Sequence, residues 1–385
     1  MATIIGKDGG SFMVNTSRLV HEFLTMVQID SPSRQERAMA DWYKARLIEL
    51  GLTVEEDEAG KAINGTAGNL IARLPGDGQG MPIFFSAHLD TVEPGRGIRP
   101  LIEGDIIRSA GDTILGGDDK AGLAVILEAI RIIKENNLPH GEIELVITVA
   151  EECGLLGAKQ LHRQQLQSIA GFVLDAGGPV GSIVVRGPAQ TKIEATIRGK
   201  AAHAGVEPEK GISAIQVAAR AIDRMPLGRI DAETTANIGV IEGGKATNII
   251  PDMVNLKGEA RSLDPRKLHA QTKQMTTILE QTAQEFGAYV QLTVEDLYPE
   301  INLKPEEPVV QIARQAIQAC GLTPSLDSTG GGSDANIFIG LGLPTANLGI
   351  GMQNVHSVEE KMAISDLVKL TEVVLAIVKT AHDWR

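Results

Sequence analysis

Cysteine is close to absent: Cys153 and Cys320 are the only two in 385 residues. That excludes a disulfide framework and suits a reducing compartment. Basic residues are the minority, 36 against 49 acidic ones for a formal charge of −13, and no Lys/Arg-rich run occurs. Attraction to nucleic-acid backbones or anionic membrane surfaces is therefore disfavoured. The longest acidic block, "EEDE" at Glu55 to Glu58, is short and reads as a solvated strand end. No apolar run reaches the roughly 18 residues of a membrane span. The opening "MATIIGKDGGSFMVN" lacks a charged segment followed by a long apolar stretch, so no secretory signal is expected there. These absences point to a cytoplasmic protein with no nucleic-acid or membrane partner.

What is present is 43% hydrophobic residues, 42 glycines and only 3% aromatics. That composition suits a turn-rich, aliphatic α/β protein. Asn15 to Val27 and Ser33 to Leu50 read as helices. In the second, Ser33 is placed to cap and Glu36 follows as in a capping box, with Gly51 as terminator. "NLIARLP" and "PIFFSAHLD" read as strands, and "DDKAGLAVILEAIRIIKENN" as a long helix after a Gly-Gly turn. "GEIELVITVA" and "GFVLDAG" read as strands buried on both faces. This alternation predicts a mixed, mostly parallel sheet with helices on both faces. Ligands in such sheets bind beyond the carboxyl ends of the strands.

From about residue 190 the pattern changes to β-α-β-β-α-β, the order of a ferredoxin-like α+β unit. After Tyr298 the first pattern resumes. One α/β domain, residues 1–189 and 299–385, is thus expected to be interrupted by an inserted domain at 190–298. Residues 1–13 have no evident role.

The stretch "FFSAHLDTVEPGRGI", Phe84 to Ile98, sets His88 and Asp90 two residues apart where an apolar run ends. Asp118, Asp119, Glu151, Glu152, Asp175 and His356 are the other candidates. Singly, each has an ordinary role as a strand end, helix cap or turn. Together they would crowd several carboxylates and two imidazoles at one sheet edge, which is costly unless cations neutralise the charge. Imidazole and carboxylate suit Zn²⁺, Mn²⁺ or Co²⁺. A bridging carboxylate holds two such ions about 3.5–4 Å apart.

The motifs "AHLDT", "GGDDKAG", "AEECGLLGA", "DAGG", "GKAAHAG", "EARSLDP", "GGGSDANIF" and "NVHS" follow one another in an order that resembles the di-zinc aminoacylase, carboxypeptidase and peptidase T superfamily, most nearly its peptidase T-like branch. The resemblance spans nearly the whole chain and implies a zinc exopeptidase-like fold. It implies two divalent ions per subunit: His88, Asp118 and Asp175 around one, and Asp118, Glu152 and His356 around the other. Asp118 is then the bridge, and its peptide bond to Asp119 is cis. Asp90 would orient His88, and Glu151 would act as general base. Cys153, just after Glu152, is expected to be a small buried residue rather than a ligand.

In the inserted domain the resemblance assigns His203 to stabilising the oxyanion, often across a homodimer formed through that lid-like domain. Arg261 would clamp the substrate carboxylate, and Asn248 would be a further substrate-binding residue. Gly331 and Gly332 lie in "STGGGSDANIF", which lacks the Gly-Lys-Ser/Thr ending of a nucleotide loop; their amides can serve a peptide oxygen, with Asp334 capping the helix that follows. The implied activity is release of the amino-terminal residue from tripeptides. N-acyl amino acid amidohydrolysis or dipeptide cleavage on the same site is an alternative. A non-catalytic metal- or peptide-binding relative is a further one, although no base or ligand is missing.

Overall fold

Runs of β-branched and aromatic residues make the central strands. Ile83–His88 and Ile143–Thr148 are buried along their whole length, as strands covered on both faces must be. The computed structural model describes residues 4–5 and 11–384, so the leading-segment expectations fall largely outside the described residues. The chain divides into two compact units. The first is Met1–Val185, Leu303–Ser328 and Ser333–Arg385; the second is Arg186–Asn302 and Thr329–Gly332.

The sheet of the first unit runs, in order, Ser182–Gly187, Thr345–Gly349, Ala170–Ala176, Ile83–His88, Ile143–Thr148, Leu70–Leu74 and Thr53–Glu56. Only the four strands from Thr345–Gly349 to Ile143–Thr148 are mutually parallel. Both flanks are antiparallel. With the second unit's sheet antiparallel throughout, strand pairing is mostly antiparallel, which corrects the expected mostly parallel sheet. The reason lies in the connections. A parallel crossover needs a dozen or more residues. Segments 75–82 and 177–181 are shorter, so the chain turns back there.

The helix Gly117–Glu135 buries nearly all of its residues against this sheet, and Asp118 and Asp119 at its start depart from helical geometry. Asn15 caps Thr16–Val27 through the Arg18 amide. The next helix starts later than its sequence suggests, at Arg37. Ser33 does not cap it: its hydroxyl donates to Asp90 at 2.7 Å. Glu36 is fully buried and makes no capping box. A three-stranded antiparallel sheet, Lys361–Ala363, Ile106–Ser109 and Pro100–Glu103, completes the elements that matter for the site.

In the second unit, Ala189–Arg198, Ala214–Arg224, Thr234–Gly243, Met253–Ser262, Pro265–Glu285 and Tyr289–Tyr298 follow in β-α-β-β-α-β order. The first strand lies between the third and fourth. Helix Ala214–Arg224 buries Ala214, Val217, Ala218 and Ala221, a stripe at helical spacing. These residues share one buried core with Ile193, Ile197, Val254 and Leu256.

Candidate metal centre

Parallel neighbours bring their carboxyl ends to one edge. Strand Ile83–His88 ends at His88, Glu151 and Glu152 follow Ile143–Thr148, and Asp175 lies near the end of Ala170–Ala176. Asp118 opens the Gly117–Glu135 helix, and its peptide bond to Asp119 is cis. His356 sits on a loop closed by mutual backbone hydrogen bonds between Gln353 and Lys361, both 3.1 Å.

Asp118 is the meeting point. His88 Nε2 lies 3.1 Å from its Oδ1, and His356 Nε2 lies 3.3 Å from its Oδ2. His356 Nε2 also lies 2.9 Å from Glu152 Oε1, and His88 Nε2 is 3.8 Å from Asp175 Oδ1. One carboxylate thus faces an imidazole nitrogen with each oxygen. Donor atoms of His88, Asp118 and Glu152 fall within 4.8 Å of one another, as do those of His88, Asp119 and Asp175. Asp119, a candidate in the sequence with no ligand role assigned to it, enters the second group; its Oδ2 also accepts the His88 amide at 3.3 Å.

Charge is concentrated here. Burial raises the pKa of the Asp175 carboxyl well above its ordinary value, and Asp118 and Glu151 add to the effect. Glu151 is raised by burial and by Asp334, Glu152 and Asp90. Burial would lower the pKa of His88, but Asp118, Asp90 and Asp175 outweigh it and hold it well above normal. Asp118 and Glu152 push His356 up to about 10. His88 belongs to both of these donor groups, whereas His356 reaches Asp118 and Glu152 from the rim and is in neither. The set offers only nitrogen and carboxylate oxygen, donors that suit Zn²⁺ and its neighbours. These clusters fit a di-metal centre. Cys153 is exposed, not buried as its position suggested.

The loop after Thr148 is held by buried side chains from elsewhere. Asn69 Oδ1 accepts the Val149 amide at 3.2 Å and Glu36 Oε1 the Ala150 amide at 3.0 Å. Asp90 accepts the amides of Glu151 and Glu152 at 2.9 and 3.1 Å. Asp90's link to His88 differs from the expected one. His88 Nδ1 bonds the backbone carbonyl of Asp90 at 2.9 Å, while the Asp90 carboxylate is 3.5 Å away. Asp334 does not cap its helix: Ser333 does, in a capping box with Asn336. Asp334 accepts from Thr148 Oγ1 at 2.5 Å.

His203, Asn248, Arg261, Gly331 and Gly332 all belong to the second unit. The structure brings His203 and Asn248 together, because the Ala204 amide bonds the Asn248 carbonyl at 3.0 Å. His203 Nδ1 accepts the Gly205 amide at 3.1 Å. A neutral ring so held carries its proton on Nε2. Arg261 is paired with Glu259, through Nε at 2.9 Å and Nη2 at 3.1 Å. Gly332 packs against a ring: a Cβ there would lie 2.3 Å from Tyr298 Cζ.

The sequence profile described as peptidase family M20/M25/M40 matches residues 84–380, a range that holds every candidate ligand. The chain belongs to that family. It is a metal-dependent peptidase with a di-metal centre. It is 48% identical over 369 residues to the Bacillus subtilis protein YqjE, covering 96% of this chain and 100% of that one. The crystal structure of aminopeptidase PepT from Bacillus cereus ATCC 10987 matches with 48% identity and a TM-score of 0.88, over 96% of this chain and 100% of that one. A tripeptidase from Staphylococcus aureus Mu50 matches with 43% identity and a TM-score of 0.92, over 97% and 100%. Among the described residues no helix is long and apolar enough to cross a membrane.

Proposed function

We propose that the chain releases the amino-terminal residue from tripeptides. The observation that carries this is the Asp118 carboxylate facing His88 with one oxygen and His356 with the other, in a chain similar along its length to an aminopeptidase and a tripeptidase. His88, Asp118 and Asp175 would hold one cation, and Asp118, Glu152 and His356 would hold the other. Zn²⁺ is the first choice, with Mn²⁺ and Co²⁺ suited to the same donors. Such a pair of cations lowers the pKa of the attacking water and polarises the scissile carbonyl.

Glu151 takes the proton of that water and returns it to the leaving amine. Its place is set by Asp90, which fixes the amides of Glu151 and Glu152. His203, with its proton on Nε2, donates to the developing oxyanion. Arg261 receives the peptide carboxylate, and Asn248 is a further substrate-binding residue. The Glu259 pairing uses Nε and Nη2 of Arg261, which leaves Nη1 outside that bidentate contact. The amides of Gly331 and Gly332 serve a peptide oxygen.

The inserted domain at 190–298 acts as lid and dimerisation domain in a cytoplasmic homodimer. Strand Thr234–Gly243 supports this. Its outer side pairs with Gly228–Arg229 only at Thr235 and Ala236, and Val240 and Ile241 beyond are exposed. An edge strand with apolar side chains is a template for a second copy.

A substrate panel tests the reading: a free tripeptide, an amino-blocked tripeptide, a dipeptide and an N-acetyl amino acid, each with metal and with chelator. Release of the first residue from the free tripeptide alone is expected. Turnover of the N-acetyl compound instead would move the activity to deacylation.

A further inference from the structure

Glu360 is fully buried and lies four positions beyond His356. Its carboxylate receives three backbone amides of a loop distant in sequence. Oε2 accepts from Leu115 and Gly116, both at 2.8 Å, and Oε1 accepts from Asp118 at 3.0 Å. That loop delivers Asp118, while Glu360's own segment delivers His356. Glu360 stands at the closed base of the His356 loop, beside the Gln353–Lys361 pair. Lys361 then enters the strand that pairs with Ile106–Ser109.

The two loops are therefore joined twice. At the tip, His356 Nε2 meets Asp118 Oδ2 at 3.3 Å through side chains, and the His356 side chain is 51% exposed. At the base the joint is a buried carboxylate gripping main chain, which leaves little freedom to either loop. The fit is close: a Cβ on Gly117 would come within 3.1 Å of Glu360 Oε1.

We propose that Glu360 is a positioning residue for the cation shared by Asp118 and His356: it sets the separation of these two ligands without touching cation or substrate. The inference rests on their assignment as ligands under the proposed function. Residues behind metal ligands tune metal affinity by fixing ligand orientation. Glu360 would do this through main chain, placing Asp118 by its own amide.

The test is a Co²⁺ titration of the full metal-free chain, followed by visible absorption, with kcat and KM measured on the loaded protein. In Glu360→Gln an amide NH₂ replaces one accepting oxygen. The expected result is a second equivalent weakened about 10- to 100-fold and a first equivalent weakened less, because Asp118 also serves the other cation while His88 and Asp175 stay in place, with an altered absorption spectrum. The loss of activity should fall on kcat rather than KM. Glu144→Gln is the matched control. Glu144 is also buried and grips two amides, Gln167 at 2.9 Å and Ser168 at 2.7 Å, from the opposite end of its strand. It should leave both equivalents unchanged.

If Glu360→Gln does not fold, Gly117→Ala decides, since it crowds Oε1 while keeping the charge; it should weaken the second equivalent in the same direction. Wild-type affinity and spectrum in the variant used would overturn the proposal. So would equal weakening of both equivalents, matched by Glu144→Gln. A wild type that binds fewer than two equivalents would instead overturn the ligand assignment itself.

Discussion

Asp90 Oδ1 accepts the backbone amide of Glu151 at 2.9 Å. Its other oxygen accepts the Glu152 amide and the Ser33 hydroxyl. One carboxylate therefore positions both the proposed base and a proposed ligand. Asp90→Asn replaces one accepting oxygen with a donor. We expect kcat to fall about 10- to 100-fold with KM little changed. Steady-state kinetics on a tripeptide check this, and an unaltered kcat would remove Asp90 from the catalytic arrangement.

Glu151→Gln keeps the shape and the amide held by Asp90 but cannot take a proton. Turnover should fall by about 10²- to 10⁴-fold, with two metal equivalents still bound. Elemental analysis beside the rate assay separates base from ligand. If metal is lost along with activity, Glu151 belongs among the ligands.

Glu36 gives a pH-dependent expectation. Burial and the nearby Asp90 push its carboxyl up to about 7, so the folded chain holds this proton more tightly than the unfolded chain does. The stability it contributes is present in full below the unfolded value, about pH 4, and is lost as pH rises through about 7. Glu36→Gln cannot ionise. Between about pH 5 and pH 8 its stability relative to wild type should improve by on the order of 2 kcal/mol. Denaturant unfolding at the two pH values measures it; an unchanged difference would contradict the assignment.

Gly171→Ala probes the core under the site. A Cβ there would lie 2.0 Å from Phe84 Cζ and 2.2 Å from Cε1. The ring cannot swing freely, because it also packs on Phe338 at a centroid distance of 4.6 Å. Overpacking should cost about 1–3 kcal/mol, read from the unfolding midpoint. A wild-type midpoint would mean that the ring has room to move.

The candidate cluster was legible because its members sit where buried strands run out. His88, Glu151 and Asp175 each follow an apolar run, and parallel neighbours carry their ends to one edge. Ser33 was misread because Ser-x-x-Glu before a helical pattern looks the same whether the hydroxyl caps a helix or is taken by Asp90, 57 residues away. In the sequence Glu36 reads only as a capping-box partner, and Glu360 carries no signal. What they hold lies 114 and more than 240 positions away, and no spacing rule connects a buried carboxylate to main chain at that distance. The sheet was read as too parallel because strand directions depend on connection lengths, and 75–82 and 177–181 are short.

Metal content against activity tests the central claim most directly. Apo-protein prepared with a chelator is titrated with Zn²⁺, and release of the amino-terminal residue from a free tripeptide is followed at each step. Activity should be absent at the start and reach its plateau at about two equivalents per chain, as a bridged pair requires. Full activity in the presence of chelator, or a plateau at one equivalent, would contradict the di-metal mechanism.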